Sequence, residues 1–398
     1  MTRRRLVFPL LIGICAAGVI VSTLSTGSAQ QAPPQQAPQV QAPQGQPGQP
    51  GQAGAAGRGT GFPGTGRGAQ PRAADPKDIV AMAAALPASA AVKPKQPRRV
   101  LILNKCNGFV TSSIPLATTM IQMIGDKTGA WSADASWDSD VINTENLKKY
   151  DVILLNSTTG AYLDDPNDPA VTAARRQALL DFVRGGKGIV GLHGSVDSYR
   201  AQTPRAAAGG APGAAPGAAP RAAGGAPPAP GAGAPPRAAG GTPPTPTQPV
   251  SSWPEYTKAM GGLFKWHWVN QLCHIKIDDP ASPINASFKG QPYQITDETY
   301  TYGQDSFSRT NVHVLTSIDY SKMSDEDKAK EPAATKRTDG DYAISWIRRE
   351  GKGRIFYEAH GHMHHVYTMT PWIEHVIAGI QYAAGDLEAD DSPSVKPR

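Results

Sequence analysis

Cysteine is nearly absent from this sequence: Cys15, Cys106 and Cys273 are the only three among 398 residues. A disulfide-stapled scaffold is thereby excluded. Cys15 lies in an N-terminal apolar stretch, and we expect Cys106 and Cys273 to be free, buried thiols. Large apolar side chains are missing from two long blocks, Gln30 to about Ala74 and Ala201 to Val250, which consist mostly of Ala, Pro, Gly and Gln. Neither block can bury enough surface to offset the entropy of ordering its backbone, so both are expected to be disordered, with polyproline II character. A basic face is lacking too. The formal net charge is +6, but nine arginines lie in residues 1–29 and in the two blocks, which hold no acid. The 30 Lys and Arg that remain face 33 Asp and Glu, so the foldable part is near −3. That balance argues against nucleic acid as a partner.

The N-terminus sets the expected compartment. A charged MTRRR precedes the apolar LVFPLLIGICAAGVIVSTL, and Gly27-Ser28-Ala29 supplies small residues for cleavage. Residues 1–29 therefore read as a secretory signal peptide, which places the mature chain in the periplasm or outside the cell. The alternative is an uncleaved membrane anchor, since about 19 apolar residues can just span a bilayer; Pro9 and the small-residue exit favour cleavage. Residues 30–75 are then a linker. One domain is expected over residues 97–386, interrupted by the 201–250 insert and followed by a tail, 387–398.

Within that domain the apolar runs of Arg99–Asn104, Asp134–Trp137, Asp151–Asn156 and Gly188–His193 predict strands. The third is apolar throughout, as a strand covered on both faces must be. Helices are expected over Ser113–Lys127, with Ser113 as N-cap, and over Ala170–Arg184, closed by Gly185-Gly186. This rhythm predicts an α/β, flavodoxin-like fold with a parallel sheet. After the insert come a short helix, Trp253–Met260, and shorter runs: Cys273–Ile277, Tyr293–Thr296, Val312–Ile318, Ala343–Arg349 and Arg354–Glu358. They predict added antiparallel strands. A last helix, Pro371–Ala384, closes the chain.

Ligands of an open parallel sheet bind beyond the carboxyl ends of its strands. Polar residues follow each strand there: Lys105 to Phe109, Asn156 to Gly160, His193 to Asp197, and His360 to His362. Gly191-Leu192-His193-Gly194-Ser195 has the strand-then-turn layout of a nucleophile elbow, but its apex is His193 rather than Ser or Cys. A serine triad at Ser195 is disfavoured, and His193 is instead expected to act as an acid, a base or a metal ligand. The stretch FYEAHGHMHHVY, Phe356 to Tyr367, holds four of the nine histidines.

Several pieces in order resemble the ThuA-like (trehalose-utilisation) family. They are Gly108-Phe109 with Ser112-Ser113-Ile114-Pro115, Tyr150 to Ile153, Gly188 to His193, Trp253 to Tyr256, Gly261 to Phe264 with His267, Asp297 to Tyr300, and Gly351 to Tyr357 ending in Gly361-His362. The resemblance departs at Thr111, where family members often carry a histidine, and in the long insert. It implies a class I glutamine amidotransferase-like three-layer sandwich, mostly parallel with added antiparallel strands, without the amidotransferase cysteine. It also implies a role on a carbohydrate or keto-sugar derivative.

The family match selects Glu298 and His362 to stand beside His193 as catalytic residues. His193, His267, Glu298 and His362 are the set expected to hold a divalent metal such as zinc, since three imidazoles and a carboxylate are common ligands for it. No nucleotide cofactor is expected. Asn107, Phe109, Ser157, Thr158, Trp253, Trp266, Asp297 and Tyr300 are the expected substrate-binding residues, the tryptophans as stacking platforms for a sugar ring. Three readings stay open: metal-assisted chemistry, metal-free acid–base chemistry by Glu298 and a histidine, and a non-catalytic sugar-binding module. Asp297 and Glu298 are expected in a loop. His360 is a second candidate near His362, while His364 and His365 read as solvated and His274, His313 and His375 as structural.

Overall fold

The computed structural model describes residues 64–66, 73–201 and 250–395. The expected signal peptide and almost all of the two low-complexity blocks lie outside the described residues. The described elements begin with β1 (Gly64–Gly66) and α1 (Pro76–Ala85), followed by β2 (Arg99–Leu103), β3 (Val110–Thr111), α2 (Ile114–Thr128), β4 (Ser132–Ser136) and α3 (Thr144–Leu147). Then come β5 (Val152–Asn156), α4 (Pro169–Arg184), β6 (Gly188–Leu192) and α5 (Pro254–Met260). The second half contains β7 (Phe264–Ile277), β8 (Tyr293–Tyr302), β9 (His313–Ile318), α6 (Asp325–Lys330), β10 (Ala343–Glu350), β11 (Gly353–Glu358) and α7 (Thr370–Ala383).

Nine strands form one sheet in the order β4-β2-β5-β6-β11-β10-β9-β7-β8. Pairings from β4 through β11 are parallel, and those from β11 to β8 are antiparallel. The expected α/β sandwich is thus present. The inner strands β2, β5 and β6 of its parallel half are apolar because helices cover both faces, whereas the edge strand β4 is polar and partly exposed. Strand alternation assigns those faces. Phe356 of β11 meets α7 at Gly379, whereas Gly353 abuts Val183 of α4 and Tyr357 lies with Met260 of α5 around Gly191. The Asn156 amide reaches the Ile114 carbonyl at 2.9 Å, which puts α2 on the α7 face.

Three local expectations change. Ser113 is the N-cap of α2 but does not cap with its side chain; its hydroxyl donates instead to the Gly361 carbonyl at 2.7 Å, tying α2 to the histidine-rich turn. Asp297 and Glu298 are not in a loop. They lie in the middle of β8, because β7 begins at Phe264 rather than Cys273 and offers β8 a full-length partner. Strand β11 does end at Glu358, as expected, so His360 is in the turn. Helix α1 was not expected; it is capped by Asp75 and packs by Met82 into the core. The C-terminal segment also packs, with Leu387 buried and Ser394 N–H donating to the Val312 carbonyl at 3.1 Å. Cys106 and Cys273 are not joined in a disulfide; Cys273 is buried as expected, whereas Cys106 is only half-buried.

Candidate metal centre

Three segments converge at the carboxyl end of β6 and β11. The first is His193, immediately after β6, with φ +42°. Such a left-handed conformation costs a non-glycine residue on the order of 1–3 kcal/mol. Two contacts hold it: the Tyr357 hydroxyl donates to its carbonyl at 2.8 Å, and its Nδ1 lies 2.8 Å from the Ala359 carbonyl. A carbonyl only accepts, so Nδ1 carries a proton, and Nε2 points inward at Glu298, where it donates when protonated and offers its lone pair only to a metal.

The second segment is β8, which presents Glu298. Its neighbour β7 is irregular here: Trp268 pairs Thr299 and Gln271 pairs Asp297, so Val269 and Asn270 together oppose Glu298. Asn270 has φ +48° at this bulge. A bulge bends the strand and re-aims the side chain opposite. Glu298 Oε2 lies 3.0 Å from His193 Nε2 and 2.8 Å from His362 Nδ1, and Oε1 lies 3.2 Å from His267 Nε2.

The third segment is the turn after β11. Gly361, at φ +122°, lets the backbone reverse, and Asp297 then fixes it. The Asp297 carboxylate accepts from Gly361 N–H at 2.7 Å, His362 N–H at 3.3 Å and Met363 N–H at 2.8 Å. His362 Nδ1 consequently sits 3.2 Å from His193 Nε2.

Electrostatics follow from this convergence. Burial alone would raise the Glu298 pKa, but the hydrogen bonds from His193 and His362 and the nearby His267 outweigh it and hold the carboxylate well below its usual range. Burial disfavours charge on His362, yet the Glu298 carboxylate, with Asp297 behind it, raises its pKa overall. For His267 burial wins, and its pKa is lowered.

His193, Glu298 and His362 are the one group among the described residues whose ligand atoms cluster tightly enough for a metal ion. Ligands at about 2.1 Å in a tetrahedron stand roughly 3.4 Å apart. The observed edges of 3.0, 2.8 and 3.2 Å describe one contracted face of such a tetrahedron. The donor chemistry fits as well: two imidazole nitrogens and a carboxylate, with one imidazole anchored through its other nitrogen. His267, half-exposed and bonded to the outer Glu298 oxygen, stands at the edge of this set.

The other expected residues divide. Tyr300 is buried as a wall, its ring 4.6 Å from His193 and 4.4 Å from Phe264. Phe109 is exposed and stacks on the His362 ring at 6.2 Å. Trp266 is half-buried beside His267. Asn107 is exposed and donates to the Ala161 carbonyl at 2.7 Å, in a polar cleft of about 630 Å³ that also contains Asp138, Asp164 and Arg175. Trp253, Ser157, Thr158 and Asp297, by contrast, face inward. Trp253 packs against Tyr199 and Tyr256 beneath Arg176. The Ser157 and Thr158 carbonyls accept from Cys106 and Ser198 within the loop layer. Asp297 spends both oxygens on backbone N–H groups. Of these four, Asp297 bears directly on the centre, through the turn that carries His362.

His360 is not in the centre. It points to the α7 face, where Nδ1 lies 3.1 Å from Glu358 and Nε2 3.4 Å from Thr299. His364 is not simply solvated, because Asp78 and Ser112 hold it on either side. Asp197 was overlooked as a site residue. Burial, joined by the Glu298 charge and opposed by Arg200, pushes its pKa up to about 6. The one sequence signal was its place at the end of the polar turn after β6.

A trehalose utilisation (ThuA) family profile matches residues 99–224 and 246–383. No curated protein matches the chain by sequence. Among solved structures, the chain is similar to a ThuA-like protein of Bacteroides uniformis, with 18% identity over 75% of this chain and 94% of that one, at a TM-score of 0.47. It is also similar to a ThuA-like protein of Parabacteroides merdae, with 12% identity over 74% and 93% and a TM-score of 0.41. A β-galactosidase from Bacillus circulans sp. alkalophilus aligns at 11% identity over 75% of this chain and 32% of its own, with a TM-score of 0.33.

Proposed function

Because the chain belongs to the trehalose-utilisation (ThuA) family, we propose that it acts outside the cytoplasm on a carbohydrate or keto-sugar derivative, by metal-assisted chemistry at His193, Glu298 and His362. The observation that carries this reading is the meeting of His193 Nε2 and His362 Nδ1 at a single oxygen of Glu298. Two imidazoles and a carboxylate packed this closely suit a shared divalent cation. A divalent ion held there would polarise a sugar carbonyl or hydroxyl, or activate water. His193 and His362 would be its nitrogen ligands, Glu298 its oxygen ligand, and His267 either a fourth ligand or a proton carrier at the edge. Phe109 would receive the apolar face of the sugar ring. Asp197, with its raised pKa, is suited to hold a proton near Glu298.

A metal-free reading is favoured by one observation. The 2.8 Å contact between Glu298 and His362 is already a proton-holding pair, with the carboxylate pKa depressed and the imidazole pKa raised. Proton and metal compete for this position, and elemental analysis separates the two readings. Near-stoichiometric zinc, manganese or nickel in the purified mature protein, falling in both His193→Ala and His362→Ala, supports the metal. A wild type that takes up no ion on reconstitution overturns it and leaves acid–base chemistry or plain sugar binding, which keto-sugar turnover then distinguishes. The compartment is tested by N-terminal sequencing of the exported protein, with cleavage expected after Ala29.

A further inference from the structure

A second constellation of reactive side chains stands beside the first. Asp78 comes from the first turn of α1, Ser112 from the junction of β3 and α2, and His364 from the turn after β11. His364 Nδ1 lies 2.6 Å from Asp78 Oδ2, and its Nε2 lies 2.9 Å from Ser112 Oγ. A carboxylate oxygen accepts, so Nδ1 carries the ring proton and Nε2 presents its lone pair to the Ser112 hydroxyl. Hydroxyl, imidazole and carboxylate are therefore in the order that activates a serine, with the base in reach of the proton and itself oriented by a third group.

The surroundings suit the same chemistry. The side chains of His364 and Asp78 are 28% and 34% exposed, and Ser112 is half-buried, so a small molecule can approach. Ser112 directly precedes the N-cap of α2, a helix of 15 residues. First-turn N–H groups lack intrahelical acceptors and carry the positive end of the helix dipole, which is where a developing oxyanion is stabilised.

We propose that Ser112, His364 and Asp78 form a serine nucleophile site that hydrolyses a carboxylic ester. Ser112 Oγ bonds to the ester carbonyl carbon while His364 Nε2 takes the hydroxyl proton. The tetrahedral adduct collapses, the ester C–O bond breaks, and His364 returns the proton to the departing alcohol. Water then adds to the acyl-serine with His364 as base, releasing the carboxylic acid and restoring the hydroxyl. Phe109 lies three residues before Ser112 and stacks on His362, so the two sites share a rim. An O-acylated carbohydrate is the ester this rim fits. That choice of alcohol rests on the proposed carbohydrate reading; the Ser112 chemistry does not.

The same bonds also pin α1 to the domain, and the test separates catalysis from docking. The purified mature chain is treated with a fluorophosphonate probe, mapped by peptide mass, and assayed on p-nitrophenyl acetate. The expected result is one adduct, on Ser112. The esterase rate should fall by about 10²-fold or more in Ser112→Ala and in Asp78→Asn. A folded wild type without an adduct on Ser112, or a Ser112→Ala chain that hydrolyses at the wild-type rate, overturns the proposal. If the variants unfold, the wild-type adduct alone decides. Acetylated sugars that resist hydrolysis while p-nitrophenyl acetate is cleaved overturn only the choice of alcohol. The adduct on Ser112 does not depend on metal content, so it fails or succeeds independently of the metal centre, and the esterase assay is run on metal-stripped protein so that metal-activated water does not contribute.

Discussion

Asp297 and Glu298, adjacent on β8, hold the same histidine from its two ends. Asp297 accepts the His362 backbone N–H at 3.3 Å, and Glu298 lies 2.8 Å from its Nδ1. Successive strand residues point to opposite faces, so one dipeptide can grip both the backbone and the ring of a residue that wraps around the strand edge.

Removing the Glu298 charge should release His362. In Glu298→Gln the His362 pKa is expected to drop from its raised value, because the carboxylate that raises it is gone. Histidine NMR titration of the metal-free protein reads this directly. Metal uptake should fall at least about tenfold, as a carboxylate ligand or its supporting partner is lost. An unmoved His362 titration would mean that the ion pair does not exist in solution.

The same pair sets a pH window for the metal-free protein. Glu298 is depressed below its ordinary 4.5, so its contribution to stability is present above that value and lost on acidification. His362 is raised above its ordinary 6.5, so its contribution is full below that value and lost as the pH rises through the raised one. Thermal melting should therefore show the pair's largest effect, wild type against Glu298→Gln, between about pH 4.5 and 6.5. Added metal should extend the stabilisation to alkaline pH, since ligands bind deprotonated.

Asp297→Ala leaves three buried N–H groups without their acceptor. Each unsatisfied group costs about 1–3 kcal/mol, so a loss of roughly 3 kcal/mol or more is expected in urea denaturation. Asp297→Asn keeps one acceptor oxygen and should recover part of that. A loss below about 1 kcal/mol in the Ala variant would show that water replaces the carboxylate.

Glu358 is fully buried, with His360 at 3.1 Å and His375 at 3.3 Å. Burial would raise its pKa, but the two histidines overcome it and hold the group down to about 2, against an ordinary 4.5. Its contribution is present above 4.5 and lost as the pH falls toward 2. Acid titration of wild type should show a drop in melting temperature across that interval that is absent in Glu358→Gln. Equal slopes would remove Glu358 from the acid response.

Gly353 begins β11 where a Cβ would sit on the carbonyl oxygens of Val183 and Lys187. Backbone atoms cannot move aside cheaply, so Gly353→Ala should destabilise by about 1–3 kcal/mol or more. A neutral change would mean that α4 and β11 are less closely docked than the structure shows.

Much of this was legible in the chain itself. The inner strands of the parallel half, β2, β5 and β6, are short apolar runs suited to a doubly covered sheet, and His193, Glu298 and His362 stood out through strand ends and family resemblance. The misses have a common cause. Asp297 and Glu298 looked like loop residues because polar side chains in a strand break the apolar pattern; they are tolerated there because buried partners satisfy each of them. Trp253 looked like a sugar platform because composition says nothing of which way an indole turns. Helix α1 was missed because four of its ten residues are alanine, which mark no distinct apolar stripe, and with it went the partner of His364.

What the sequence determined by itself is local: which runs are apolar, where glycine permits a turn, and which segments are poor in large apolar side chains. Tertiary structure decided which polar groups meet. Glu298 reaches its histidines only because a bulge in β7 re-aims it, and Ser112, His364 and Asp78 touch only because three segments far apart in the chain pack together. Short-range pattern sets the elements, while the chemistry depends on contacts between residues hundreds of positions apart, which no periodicity encodes.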